Sequence, residues 1–252
     1  MELSGARALV TGGSGGLGSA ICRALATAGV HVAVGYHSGD DRAREVTNAV
    51  KALGVEGQAI AIDITDPKDI EFGVEAAARH FGGLDILVNN AATTRRPEGD
   101  DGTLSAITAD YWDAMSSANL RGPFLMARAA EPYLRASDRG RIVNIGSTIG
   151  QGSHGAALPF SVTKASIAPL TRFLAVRLAP DILVNCVAPG LMLGTGLTQH
   201  ATEEFADTWR AAAITGKTTS IEDVARQVVG CCATTTMTGQ VITIDGGIHL
   251  TP

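Results

Sequence analysis

The sequence predicts a single α/β domain built on a doubly wound, parallel sheet of about seven strands. Two observations carry this. Short apolar runs alternate with longer stretches of helical periodicity from residue 7 to residue 247. The short runs are apolar throughout, as strands covered on both faces are, rather than alternating with polar residues. The chain of 252 residues is long enough for one large domain, and no Pro/Ser-rich linker or internal repeat divides it.

The elements follow in order. Residues 7–12 (RALVTG) read as a buried strand and 16–29 as a helix stopped at Gly29. Residues 31–36 (HVAVGY) are a second strand. The helix over 39–54 has Ser38 as its expected N-cap, with Asp41 three positions on in capping-box style. A third strand spans 57–63, and a helix over 66–82 has Pro67 in its first turn, where a missing N–H costs nothing. A strand at 84–91 (LDILVNNA) precedes one long helix near 108–130. Then come a strand at 140–147, a helix near 159–179 and a strand at 182–189. A Thr-rich segment without assigned structure runs to about 220, followed by a helix at 220–233 and a last strand at 239–247.

Composition narrows the function. With 45% apolar and 18% charged residues the chain is globular, and a net charge of −5 without a basic tract argues against nucleic-acid and anionic-membrane partners. MELSGARALV lacks the basic start and apolar run of a secretory leader. No run approaches the ~20 apolar residues needed to cross a bilayer. Cys22, Cys186, Cys231 and Cys232 fit neither zinc-ligand nor disulfide spacing. A cytoplasmic protein with buried free thiols and no metal is expected, acting on a small molecule.

Thr11-Gly12-Gly13-Ser14-Gly15-Gly16-Leu17-Gly18 leaves the first strand and opens the first helix. Glycines at such a joint let the backbone turn tightly and approach a pyrophosphate, which then meets the N–H groups of the helix N-terminus. The spacing is GxxxGxG rather than GxGxxG. That spacing occurs with Asp63 in AIDIT, NNAA at 89–92, Asn119 in NLRGPF, Ser147 in NIGST, Lys164, Pro189-Gly190 and GQVITIDGG at 239–247. Together, in this order and over nearly the whole chain, these resemble the short-chain dehydrogenase/reductase family.

The resemblance implies a Rossmann-type domain and an NAD(P)(H)-dependent oxidoreductase, a ketoreductase interconverting a carbonyl and an alcohol. It implies cofactor contacts from Gly12, Ser14, Gly15, Gly16, Leu17 and Gly18, and from Asp63 and Ile64 at the adenine. Asn90, Ala91 and Ala92 would line the path to the nicotinamide, with Lys164 on its ribose and Pro189, Gly190 and Met192 closing the site. It also implies a homotetramer or homodimer formed by the helices near 108–130 and 159–179 and the last strand. The catalytic set it implies is Asn119, Ser147, the residue at 160 and Lys164.

At position 160 the family has a Tyr, four residues before the Lys; this chain has Phe160. A phenol with its pKa lowered by the Lys exchanges a proton with the substrate oxygen while the Ser hydroxyl polarises it. Phe carries no such proton. Three accounts stand side by side. Phe160 is an inactivating replacement of Tyr on an ordinary reductase. Alternatively, the enzyme dispenses with the phenol, as an imine reductase handed an already protonated substrate does, with Ser147, a water on Lys164 or His154 as other donors. In the third account the chain binds cofactor without catalysis.

The second strand ends in Gly35-Tyr36-His37-Ser38, with no acid before Asp40. An acid at that end takes the ribose hydroxyls of NAD; its absence favours NADP(H) over NAD(H), with His37, Ser38 and Arg42 available to a 2′-phosphate. Asp40 and Asp41 suit the first turn of a helix instead. The substrate would meet 92–96, 147–155, the surroundings of Phe160 and 190–210. Leu191, Met192, Leu193, Leu197 and Trp209 suggest a medium-sized, partly apolar substrate. Gly194 stands where the family has Thr, and Thr195 is a substitute contact. Arg95 and Arg96 either hold an anionic group or are solvated loop residues.

Overall fold

The structure, a computed structural model, describes residues 2–95, 97, 102–151, 157–196, 198 and 201–250. Seven parallel strands form one sheet: β1 (Arg7–Val10), β2 (His31–Tyr36), β3 (Gly57–Ala61), β4 (Ile86–Asn89), β5 (Gly140–Ile145), β6 (Ile182–Pro189) and β7 (Val241–Ile244). Their order is β3-β2-β1-β4-β5-β6-β7. The chain builds outward from β1 in one direction and then restarts at β4 in the other. The crevice at the carboxyl ends of β1 and β4 is therefore the switch point where such sheets bind ligands.

Neighbouring residues of each central strand feed opposite layers. Ala8, Val10, Val32, Val34, Ile86 and Val88 pack into the core beneath α1 (Gly16–Thr27), α2 (Asp40–Ala52) and α9 (Ile221–Ala233). Leu9, Ala33 and Leu87 face the core under α3 (Pro67–Phe81), α5 (Gly122–Arg135) and α7 (Ile167–Leu178). All four cysteines are free and buried. Cys22, Cys231 and Cys232 belong to the first core, where burial pushes the Cys22 thiol up to about 12. Asp66 caps α3 through bonds from the Lys68 and Asp69 N–H groups, with Pro67 just inside, as the sequence indicates.

Four elements depart from the sequence reading. Ser38 does not cap α2: the N-cap is Gly39, whose left-handed φ of 82° takes the chain out of the extended geometry a side-chain cap needs. The helix expected near 108–130 is α4 (Ala109–Ser116), a π turn at Ser117–Arg121, and α5 reaching Arg135. Pro123 has no N–H to give the Asn119 carbonyl, so the regular ladder cannot pass through that turn. The helix expected near 159–179 is α6 (Leu158–Ala165) followed by α7, because Pro169 likewise cannot donate to Ala165. The Thr-rich segment contains α8 (Glu203–Ala212), capped by Thr202, whose hydroxyl accepts from Phe205 N.

Candidate active site

A cavity of about 1250 Å³ opens along the carboxyl ends of the strands. Its floor is the glycine loop. A side chain at Gly18 would place its Cβ 2.0 Å from the Gly12 carbonyl oxygen, and one at Gly16 would press on Thr195 Cα at 3.1 Å. Gly12 is left-handed, with φ of 63°. Asn90 locks the loop: its Nδ2 donates to the carbonyls of Thr11 (2.9 Å) and Gly12 (3.1 Å). The backbone N–H groups of Asn90 and Ala91 donate to Thr11 Oγ1. The N-terminus of α1 has no side-chain cap and no acid in its first turn. A backbone stripped of side chains beside an uncapped helix N-terminus fits a pyrophosphate.

At the β2 end the wall carries His37, Ser38 and Arg42. Asp40, the first acid in the chain after β2, is off the wall: its carboxylate accepts from Tyr36 Oη and Arg44, and those two bonds hold its pKa below the usual range. Ile62 and Ile64 form the neighbouring wall. Asp63 does not. Its Oδ1 accepts from Thr65 N (2.8 Å) and Thr65 Oγ1 (2.7 Å), and its Oδ2 lies 3.7 Å from His37 Nε2.

The chemical end lies at β5 and β6. Ser147 follows β5; its Oγ accepts from Ile149 N (3.3 Å) and sits 3.4 Å from the Pro189 carbonyl. A side chain at Gly150 would collide with Ala165 N at 2.5 Å, so the Ser147 loop packs directly on the end of α6. Lys164 on α6 is buried, yet its end reaches the cavity, and its Nζ donates to the Ile145 carbonyl at 2.9 Å. Burial, with no carboxylate to offset it, brings its pKa down to about 8. Phe160, one helical turn earlier, is 7% exposed and packs among Tyr111, Met115 and Ile149, with Lys164 Nζ 6.0 Å from its ring centroid. Pro189, Gly190, Met192 and the buried Thr195 complete this end.

Asn119 is placed differently from the other three residues of the expected catalytic set. It is 1% exposed and stands behind Thr93 rather than on the wall. Its Oδ1 accepts from Thr93 N (2.8 Å) and its Nδ2 donates to Thr93 O (2.9 Å), so it fixes the strand end that carries Ala91 and Ala92. Leu193 is also off the wall, while Arg95, Leu191 and Trp209 are on it. His154, Arg96 and Leu197 lie outside the described residues. The sequence reading named Trp209 but missed α8 and its Phe205, whose ring lies 6.0 Å from that of Trp209 on the cavity wall. Their i, i+4 spacing after Thr202-Glu203-Glu204 was the available signal. Among the described wall residues four are basic (His37, Arg42, Arg95, Lys164) and none is acidic.

This chain is 35% identical to a short chain dehydrogenase from Burkholderia cenocepacia solved in complex with NADP, over 98% of this chain and 99% of that one, with a TM-score of 0.89. The family model described as enoyl-(acyl carrier protein) reductase matches residues 12–249. The chain belongs to the short-chain dehydrogenase/reductase family. Among its relatives is the protein named ketoacyl reductase 2 of the granaticin polyketide synthase of Streptomyces violaceoruber, 36% identical over 96% of both chains. Another is a 3-oxoacyl-(acyl-carrier-protein) reductase of Aquifex aeolicus, 33% identical over 98% of this chain and 99% of that protein. Like other members of the short-chain dehydrogenase/reductase family, the chain is an oxidoreductase with a Rossmann-type sheet.

Proposed function

We propose that this short-chain dehydrogenase/reductase is an NADP(H)-dependent carbonyl reductase in which Phe160 stands in the place of the proton-donating phenol and slows the chemistry. The observation that carries the reading is the wall itself: a side-chain-free glycine cradle at one end, Ser147 and Lys164 at the other, and no carboxylate among the described wall residues. When bound, the cofactor supplies hydride to the substrate. The residues of the chain do the rest. The α1 N-terminus and glycine loop hold the pyrophosphate; Ser38, His37 and Arg42 take the 2′-phosphate, with Asp40 off the wall. Lys164 binds the nicotinamide ribose, and Ser147 Oγ donates to the carbonyl oxygen as charge builds on it. Asn119 acts through Thr93.

Wall charge bears on the alternatives. A protonated iminium would enter a cavity with basic residues and no acidic partner among the described wall residues, which favours a neutral or anionic carbonyl compound over an imine. The part of the wall with Leu191, Phe205 and Trp209 suits a medium-sized, partly apolar body. We further propose that the protein is a cytoplasmic homotetramer or homodimer: Phe124 on α5 and Phe173 and Val176 on α7 expose apolar surface, 66% and 80% for the latter two. No helix among the described residues is long and apolar enough to cross a membrane. The test is NADPH oxidation, followed at 340 nm, against matched ketone and cyclic imine panels. Turnover of ketones is expected. Turnover of imines alone would replace this reading with the imine reductase, and tight NADPH binding with no turnover on either panel would leave a cofactor-binding protein.

A further inference from the structure

The geometry points to Lys164 as the group that delivers the proton to the substrate oxygen in this chain. The inference rests on the carbonyl-reductase reading above and names the donor within it. Phe160 contributes only hydrocarbon to the wall. Of the four basic residues among the described wall residues, His37 and Arg42 belong to the β2 end, and Arg95 follows β4. Lys164 alone stands at the end of β5, bonded to Ile145 O two residues before Ser147. Tyr111 packs against Phe160 but is not on the wall. The Ser147 hydroxyl can polarise an oxygen, but giving up its proton would leave an alkoxide.

The surroundings of Lys164 suit it to this task. An ammonium has three N–H groups, and the bond to Ile145 O uses one of them. The titratable group facing it from β6 is Cys186, itself pushed up to about 11 by burial. On the α4 side stands Tyr111, packed against Phe160, and no carboxylate among the described residues acts on the ammonium. Burial therefore makes the ammonium a readier acid, titrating near about 8, where a proton can leave and return at neutral pH. The step balances. The carbonyl carbon gains hydride from NADPH, the carbonyl oxygen gains a proton as one Nζ–H bond breaks, and Lys164 is left as an amine that regains its proton from solvent.

Two readouts test this, one of them independent of turnover. The chain has four lysines: Lys51, Lys68, Lys164 and Lys217. In lysine-labelled protein without cofactor, the Lys164 side-chain NMR signal should titrate near 8. In the unaltered chain, ketone reduction should be flat at low pH and fall tenfold per unit above a break near 8. Lys164→Arg keeps the charge but does not release its proton. It should cut that rate, measured at saturating NADPH, by about 10²–10⁴. Phe160→Tyr serves as the control for the parent reading. A Lys164 midpoint above 10, a rate that is level from pH 6 to 10, or undiminished turnover in Lys164→Arg overturns the inference. So does ketone reduction in Phe160→Tyr with none in the unaltered chain. Failure of both proteins on every carbonyl, with Lys164 still titrating near 8, instead takes down the reductase reading, and this inference with it.

Discussion

Restoring the phenol is the sharpest perturbation of this site. Phe160→Tyr adds one oxygen to a ring that is already 7% exposed, packed by Tyr111, Met115 and Ile149, and part of the cavity wall. The ring needs no new space in the core if its edge toward the cavity takes the hydroxyl. Left without a partner, the hydroxyl would cost about 1–3 kcal/mol; facing the cavity beside Ser147 and the Lys164 ammonium, it should cost little. The melting temperature should then fall by no more than about 2–4 °C, the shift that 1 kcal/mol produces in a chain of this size. The rate should respond far more. A general acid contributes about 10²–10⁴-fold, so single-turnover reduction of a ketone by bound NADPH should accelerate by that factor with cofactor affinity unchanged. An acceleration below about threefold with the fold intact would refute the assignment of position 160 to proton transfer.

Three further changes probe separate parts of the account. Gly18→Ala puts a Cβ 2.0 Å from Gly12 O; relieving that clash by shifting the loop costs about 1–3 kcal/mol, so NADPH affinity should drop about 5- to 150-fold by fluorescence titration. Arg42→Ala removes an exposed partner of the proposed 2′-phosphate contact, at about 1.4 kcal/mol or tenfold in the dissociation constant for NADPH, with NADH unaffected. Asp85 lies under the sheet, its side chain fully buried, and accepts from Arg7 and Ser137. Burial alone would raise its pKa, but those bonds outweigh it and hold the carboxyl below the usual range. Its stabilisation is therefore complete above the ordinary carboxylate range and fades as pH falls through the lowered value. Asp85→Asn should cost about 3 kcal/mol at pH 7, read as a lower urea midpoint, and the gap between the two proteins should narrow below about pH 4.

The alternation of buried strands and amphipathic helices was legible because a parallel sheet demands apolar strands and long crossovers, and the glycine loop was legible because a strand-to-helix joint with that many glycines has few other uses. What escaped the sequence was set in part by backbone geometry and tertiary contact. Gly39 turns left-handed and starts α2 one residue later than the Ser38 cap would have. Asn119 sits in the π turn that precedes Pro123, and its side chain bonds Thr93. α8 was left unassigned in a Thr-rich stretch, although the Thr202 cap and the i, i+4 pair Phe205 and Trp209 mark it. Thr65, which the sequence reading did not single out, holds Oδ1 of Asp63 through its N–H and hydroxyl.

The most direct test of the central claim is isotope transfer from 4-deuterated NADPH to a ketone substrate, with the product analysed by mass spectrometry. The account predicts deuterium on the carbinol carbon, slowly in the unaltered chain and far faster in Phe160→Tyr. Product without deuterium, or bound NADPH that transfers to no carbonyl in either protein, would contradict it.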